Sequence, residues 1–308
     1  MSVLASSLLS VFLVILVGFG ARASGVLTRE AWDGFDRVTY YVLFPALIGG
    51  TLAMSDLRGV GAVAVGATLA ASVLTMAAIL LAARPVLQGS LRIDGPAFCS
   101  VFQGATRWNS FVAIGMAASL HGKTGVALAA VASVAMVPLL NVCATLVHAR
   151  YAAPRRPRWP ALARSLAANP FIWSPVAGIA WNLTGWPMPE IAGNAIDIIG
   201  RAALAAGLLC VGAGLDVRRL RRPPPALVIS LALKLLAMPL IAYAWARGWR
   251  LDGAALSVVM LSASVPTASG SYVMARQLGG DAPLMAEILT VQTLAAMITL
   301  PLMMTLVQ

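Results

Sequence analysis

Apolar runs about twenty residues long alternate with short polar turns along the whole chain. Ten such runs can be marked, at 4–21, 31–54, 60–83, 94–120, 124–149, 167–184, 188–215, 225–246, 252–277 and 283–307. A run of roughly 18 or more apolar residues is long enough to cross a bilayer as a helix. The pattern therefore predicts an all-α, polytopic membrane protein with ten transmembrane helices. Two runs are interrupted by polar residues near their middles. The fourth carries Arg107-Trp108-Asn109-Ser110-Phe111, and the ninth carries Ser264-Val265-Pro266-Thr267-Ala268-Ser269-Gly270-Ser271. Backbone that leaves the helix inside a membrane must be buried in protein or line a cavity. Paired interruptions at matching places in two halves of a chain point to a transporter's binding site.

Composition supports the membrane assignment. Of 308 residues, 60% are hydrophobic and 11% charged, against about 45–50% and 25% in soluble domains. The formal net charge of +11 raises the question of nucleic acid. The basic residues lie mostly in short turns between apolar runs, without the polar surface a DNA or RNA binder presents. Cys99, Cys143 and Cys210 have no pairing or metal-ligand spacing. The first run, 4–21, has no basic residue before Arg22, so it reads as a first span rather than a signal peptide.

The turns sort by charge. With ten spans, fifteen basic residues fall on one face, among them Arg84, Arg92, Arg155, Arg156, Arg158, Arg218 and Arg276. Four fall on the other, Arg58, Lys123, Arg247 and Arg250. Cytoplasmic loops carry the excess, which places both termini outside and the Pro/Arg-rich loop 151–166 in the cytoplasm. That loop divides the chain into two five-span groups, 1–150 and 167–308. An odd number of spans per group makes the second an inverted copy of the first. Weak internal similarity agrees: at an offset of 158 residues, Met116-Ala117 falls on Met274-Ala275 and Asn109 on Thr267.

Interrupting a helix creates a new start with unpaired N–H groups and a partial positive charge. Asn109, Ser110, Thr267, Ser269 and Ser271 are residue types that cap such starts. Pro266 lacks an N–H and Gly270 permits close approach. Two starts meeting at mid-membrane would form an anion site built largely of backbone. An ordinary kinked helix, with hydroxyls bonded back to the preceding turn, is the plainer alternative. Arg107 either offers a fork for a carboxylate or pairs with an acid or carbonyls at the break; the residues alone leave both open. Glu190, Asn194, Asp197 and Arg201 share one stripe of the seventh span, with Asp197 and Arg201 in ion-pair register; proton coupling through Asp197 is the rarer reading. Lys234 could balance the carbonyl ends of the broken helices. Gln103, Gln292 and Glu287 could line the site or bond neighbouring helices. His121 and His148 fall near opposite faces. The chain has no catalytic constellation, no metal-ligand spacing and no cofactor motif. A proton or sodium remains open as coupling ion.

At these positions the chain resembles the auxin efflux carrier family, in its bacterial permease branch. The resemblance runs through Tyr40-Tyr41-Val42-Leu43-Phe44-Pro45-Ala46-Leu47, Arg107-Trp108-Asn109, Asn169-Pro170, Gly212-Ala213-Gly214-Leu215, Leu233-Lys234-Leu235, Met238-Pro239-Leu240 and Ser264-Val265-Pro266. It implies ten helices in two inverted five-helix repeats with crossing broken helices 4 and 9, a fold similar to bile-acid symporters and cation/proton antiporters. It implies a homodimer through helices 1, 2, 6 and 7, in the inner membrane. It implies transport of small organic anions, such as mono- or dicarboxylates or auxin-like acids, with Asn109 and Pro266 at the crossing. The family usually carries a proline where this chain has Met116, which predicts a gentler first break. The competing readings are a sodium-coupled symporter of a bulkier anion, with Gln103 and Gln292 at the ion, and an intramembrane lipid-modifying enzyme.

Overall fold

A computed structural model describes residues 3–54, 62–152, 160, 163–164, 167–215, 223–268 and 270–307. Most of the predicted basic loop 151–166, the arginines 218–222 and Ser269 lie outside the described residues. Among those described, all regular structure is helical. The helices are α1 Val3–Ala23, α2 Arg29–Met54, α3 Ala62–Leu91, α4 Gly95–Thr106 and α5 Ser110–Tyr151. They continue as α6 Pro170–Thr184, α7 Glu190–Ala213, α8 Pro225–Gly248, α9 Gly253–Ser264, α10 Gly270–Leu278 and α11 Ala282–Met304. Each predicted span coincides with a helix or with two half-helices flanking a break.

Among the described residues six stretches are long and apolar enough to cross a membrane, so this is a multi-pass membrane protein. One of them, Gly95–Tyr151, has 57 residues. As a straight helix it would run about 85 Å, far beyond a hydrocarbon core of about 30 Å. It turns back at Gly122, whose φ of 55° and ψ of −137° fall outside the helical region and suit a residue without a Cβ.

Local sequence explains the helix ends. Asp94, Asn169 and Asp281 accept from Ala97 N (2.9 Å), Phe171 N (2.9 Å) and Leu284 N (3.0 Å), capping α4, α6 and α11. Proline follows close behind each cap, where its missing N–H has no intrahelical role. Pro45 and Pro239 lie inside α2 and α8. Each is preceded by a π turn, Thr39–Leu43 and Leu233–Ala237. There Phe44 N and Met238 N reach back five residues, to Thr39 O and Leu233 O. The wider turn eases the clash between the proline ring and the preceding carbonyls.

Packing divides the helices into two sets. α1 packs on α7, and α2 packs on both α6 and α7. These contacts are close because they are made by small residues: a Cβ at Gly18 would overlap Leu209 O, and one at Gly212 would overlap Ile15 O. Helices in a membrane gain their packing this way, since lipid is as apolar as leucine. The second set joins α3, α4, α5, α8, α9 and α11. α5 touches both sets, and its first turn connects them. Phe111 stacks on Phe44 of α2 with ring centroids 4.5 Å apart, and Phe171 of α6 flanks both at 6.0 and 5.3 Å.

Candidate functional site at the crossing of two broken helices

The two breaks are built alike. α4 and α9 each have 12 residues and each follows an aspartate, Asp94 and Asp252. Each ends on one extended residue: Arg107 at φ −68°, ψ 153°, and Val265 at φ −65°, ψ 149°. In both, the last N–H reaches back four residues, from Arg107 N to Gln103 O and from Val265 N to Leu261 O. The first break is complete despite Met116, which is buried within α5. What stops the helix is the sequence at the break itself. Asn109 leaves the helical region, and its Oδ1 accepts from Val112 N at 3.2 Å, restarting the helix. A side chain that caps one helix start does not need a downstream proline to end the preceding helix. The gentler break expected from the sequence is therefore not found.

The two breaks meet. Asn109 Nδ2 donates to Thr267 O at 3.4 Å. Thr267 N donates to Gln292 Oε1 at 3.0 Å, and Gln292 Nε2 donates to Gly104 O at 3.0 Å and to Ser230 O at 3.2 Å. Thr267 Oγ1 shares a hydrogen bond with Ser271 Oγ at 3.1 Å and reaches Gln103 O at 3.5 Å. Asn109, Thr267, Ser271, Gln103 and Gln292 are all buried. Gly104 permits this approach, since a Cβ there would strike Ser230 Oγ. A low-dielectric interior makes each of these bonds strong and each unpaired group costly.

Arg107 lies beside the crossing, partly buried. Nη1 donates to Gln103 Oε1 at 3.1 Å and contacts Met274 Sδ at 3.1 Å; Nη2 donates to Asn141 Oδ1 at 3.0 Å. All these partners are neutral. Tyr40, in the π turn of α2, is within its electrostatic reach. The guanidinium is thus held in place without a counter-charge among the described residues. That leaves a fixed, oriented cation at the join of four half-helices, able to take a carboxylate in a planar fork.

The remaining predicted residues divide. Ser110 and Gly270 begin α5 and α10, and Pro266 is buried in the second break. Gln103 and Gln292 stitch the breaks together, their amides engaged with protein groups. Lys234 is fully buried in the second π turn, one turn beyond Ser230. Its Nζ has no hydrogen-bond partner among the described residues. Asp197 and Arg201 are not brought to the crossing. They form an ion pair with each other on α7, Nε to Oδ2 at 2.8 Å, and with Lys123 they edge a small cavity of about 70 Å³ against α2. Glu287 lines a second cavity with Arg92 and Asp281. Linear reading gave no place at the site to Tyr40, Asn141, Ser230, Met274 or His148, although Tyr40 and Met274 lay in stretches already quoted and His148 was placed near one membrane face.

Broken helices whose breaks meet inside a multi-pass membrane protein, beside a partly buried cation, are an arrangement typical of transporter binding sites. Residues 156–304 match the family described as membrane transport protein. An uncharacterised transporter from Methanothermobacter thermautotrophicus is 25% identical, with 96% of each chain covered. A protein described as a candidate malonate transporter, from Rhizobium meliloti, is 30% identical over 169 residues, covering 50% of this chain and 53% of its own. The second half of the chain thus matches the membrane transport protein family, that of the auxin efflux carriers, and along nearly its whole length the chain is similar to a transporter.

Proposed function

We propose that this protein is a secondary carrier for a small organic anion, with dicarboxylates of the malonate class as its first candidate substrates. The observation that carries this reading is Arg107, a cation held by neutral partners among the described residues, beside the two helix breaks that meet. Helix starts attract anions through their exposed N–H groups and partial positive charge, and a guanidinium fork pairs two donors with a carboxylate. The relative described as a candidate malonate transporter supports the substrate class. The excess of arginine on one face supports an inner-membrane orientation with both termini outside.

Transport then requires the crossing to be exposed to one side at a time. The second packing set would move, by rocking or as an elevator, against α1, α2, α6 and α7. A homodimer through those four helices would anchor the static set. The support is α7, where the Asp197–Arg201 pair lies beside Ile198, which is 71% exposed. Charges facing lipid are costly, so a second copy is the better cover.

The test is counterflow of radiolabelled malonate into liposomes holding the purified protein. Asn109→Ala removes both the cap on Val112 N and the tie to Thr267 O. At about 1 kcal/mol per bond, exchange should fall at least about tenfold. Unchanged malonate binding and exchange in Asn109→Ala would sink the assignment of the crossing as the site.

A further inference from the structure

His148 closes a hydrogen-bond chain that ends at Arg107. It is fully buried on α5. Its Nδ1 lies 2.7 Å from Ala144 O, a pure acceptor, so Nδ1 carries a proton. Its Nε2 lies 3.3 Å from Gln103 Nε2. The Gln103 amide cannot be turned the other way, because its Oε1 accepts from Arg107 Nη1, which can only donate. Nε2 of His148 is therefore an acceptor, and the imidazole is neutral in this arrangement. The chain reads Ala144 O, His148, Gln103, Arg107, Asn141, with every donor facing an acceptor.

A proton arriving at Nε2 would set N–H against N–H₂. The relief available is to turn the Gln103 amide over, presenting Oε1 to the imidazolium and the –NH₂ to Arg107. Arg107 Nη1 then faces a donor, keeps only the weak contact to Met274 Sδ, and becomes available to another acceptor; the turned amide also gives up its bond to Ser271 O at 3.5 Å. We propose that His148 is the proton-binding site of this carrier: protonation of Nε2 turns the Gln103 amide and frees Arg107 for a substrate carboxylate. This rests on the carboxylate reading given above. The proton comes from the aqueous phase and leaves with the substrate, and it offsets the charge of one of malonate's two carboxylates. The two ligands then assist each other's binding, by linkage.

The surroundings fit a route for the proton. His148 Nε2 lies under Gly280, where an added Cβ would come within 2.9 Å of it. The next residue, Asp281, lines a cavity of about 310 Å³ together with Arg92, Pro224 and Glu287. The charged and titratable groups around His148 are few. From α4 comes the Cys99 thiol, turned to Val147 O. From the break comes Arg107. From the α10–α11 connection comes Asp281, whose carboxylate is occupied by Leu284 N. On α5 itself, Arg150 is turned to the Tyr151 ring, which Arg84 of α3 also covers. Arg107 thus opposes protonation until an anion neutralises it, which is the sign that coupling requires.

Two arms test this. In liposomes, wild-type protein and His148→Gln are compared for malonate counterflow at equal pH and for accumulation driven by an acid exterior. We expect wild type to accumulate malonate about tenfold and to exchange it faster as pH falls, and His148→Gln to lose both the accumulation and the pH dependence of exchange. Accumulation retained in His148→Gln overturns the proposal and leaves the carboxylate reading intact. Absence of counterflow in wild type overturns the carboxylate reading instead. The second arm needs no substrate and keeps His148 in place. In His121→Gln protein, His148 is the one remaining imidazole, and its ring can be titrated by NMR. Adding Arg107→Gln should move that titration to higher pH. An imidazole that stays put in Arg107→Gln, or never titrates between about pH 4 and 8, overturns the proposal.

Discussion

A single amide, that of Gln292, holds three elements together. Its oxygen takes Thr267 N from the second break, and its nitrogen serves Gly104 O of α4 and Ser230 O of α8. Replacing it with leucine of similar length leaves a buried N–H without a partner and strips two carbonyls of their donor. Leaving buried polar groups unsatisfied costs about 1–3 kcal/mol each. Gln292→Leu should therefore lower the apparent melting temperature in detergent by several degrees, while Gln88→Leu, exposed on α3, should not; equal melting for Gln292→Leu and wild type would deny the stitch its weight. The sequence showed that Gln292 was a polar residue inside a span, but not what it bonded. Its partners lie 25, 62 and 188 positions away, and such pairings have no linear signature. Arg107 and Asn109 were legible for the opposite reason: their roles begin locally, with a lost helix and a cap three residues on. His148 escaped notice because proximity to a membrane face was all its position offered. Its bond to Gln103 depends on how α5 folds back at Gly122.

At the scale of elements, the contact between α1 and α7 depends on backbone meeting backbone. Gly18 faces Leu209 O and Gly212 faces Ile15 O. A side chain at either place must push two helices apart along their length. Gly212→Val should cost about 1–3 kcal/mol, as overpacking in a tight interior does, and shift thermal unfolding downward. Gly20→Val, where nothing lies within 4 Å, is the matched control, and similar losses in both would count against the interlock. Helix positions were readable from hydropathy, and both breaks from their polar residues. The depth of the first break does not depend on a proline at Met116, because the Asn109 cap on Val112 N is enough to start a new helix. The π turns could not be read at all: proline announces a disturbed helix, but whether the disturbance becomes a kink or a wider turn depends on the neighbours it packs against.

The whole molecule presents two sets of helices sharing α5, with an aromatic contact of Phe44, Phe111 and Phe171 where the sets adjoin. The face of α7 bearing Ile191 and Ile198, 88% and 71% exposed, is left uncovered in a single copy. If a second copy covers it, a cysteine at Ile198 in a variant lacking Cys99, Cys143 and Cys210 should cross-link to a covalent dimer in membranes under mild oxidation. A cysteine at Ile298, on α11 and 76% exposed, should stay monomeric; monomers from both sites would argue against a dimer through α7. Span order and the grouping into membrane-crossing runs were visible in hydropathy because lipid imposes a length and a polarity on every crossing. Which helices pack together was not, since small residues allow close approach without naming the partner.

The π turns carry a further consequence, in the currency of chain length. A π turn is an α-helix with one residue inserted and absorbed locally. Deleting one residue from Thr39–Leu43 or from Leu233–Ala237 would let the helix close to regular α geometry. Because the extra residue is absorbed within one turn, the helix on either side would keep its phase, and the side chains that move would be those of the turn itself. In the first that turn carries Tyr40, and in the second Lys234. At these two places the protein can lose a residue without re-aiming either half of the helix, so natural variation can erase the turn by one codon and leave the rest of the helix facing as before.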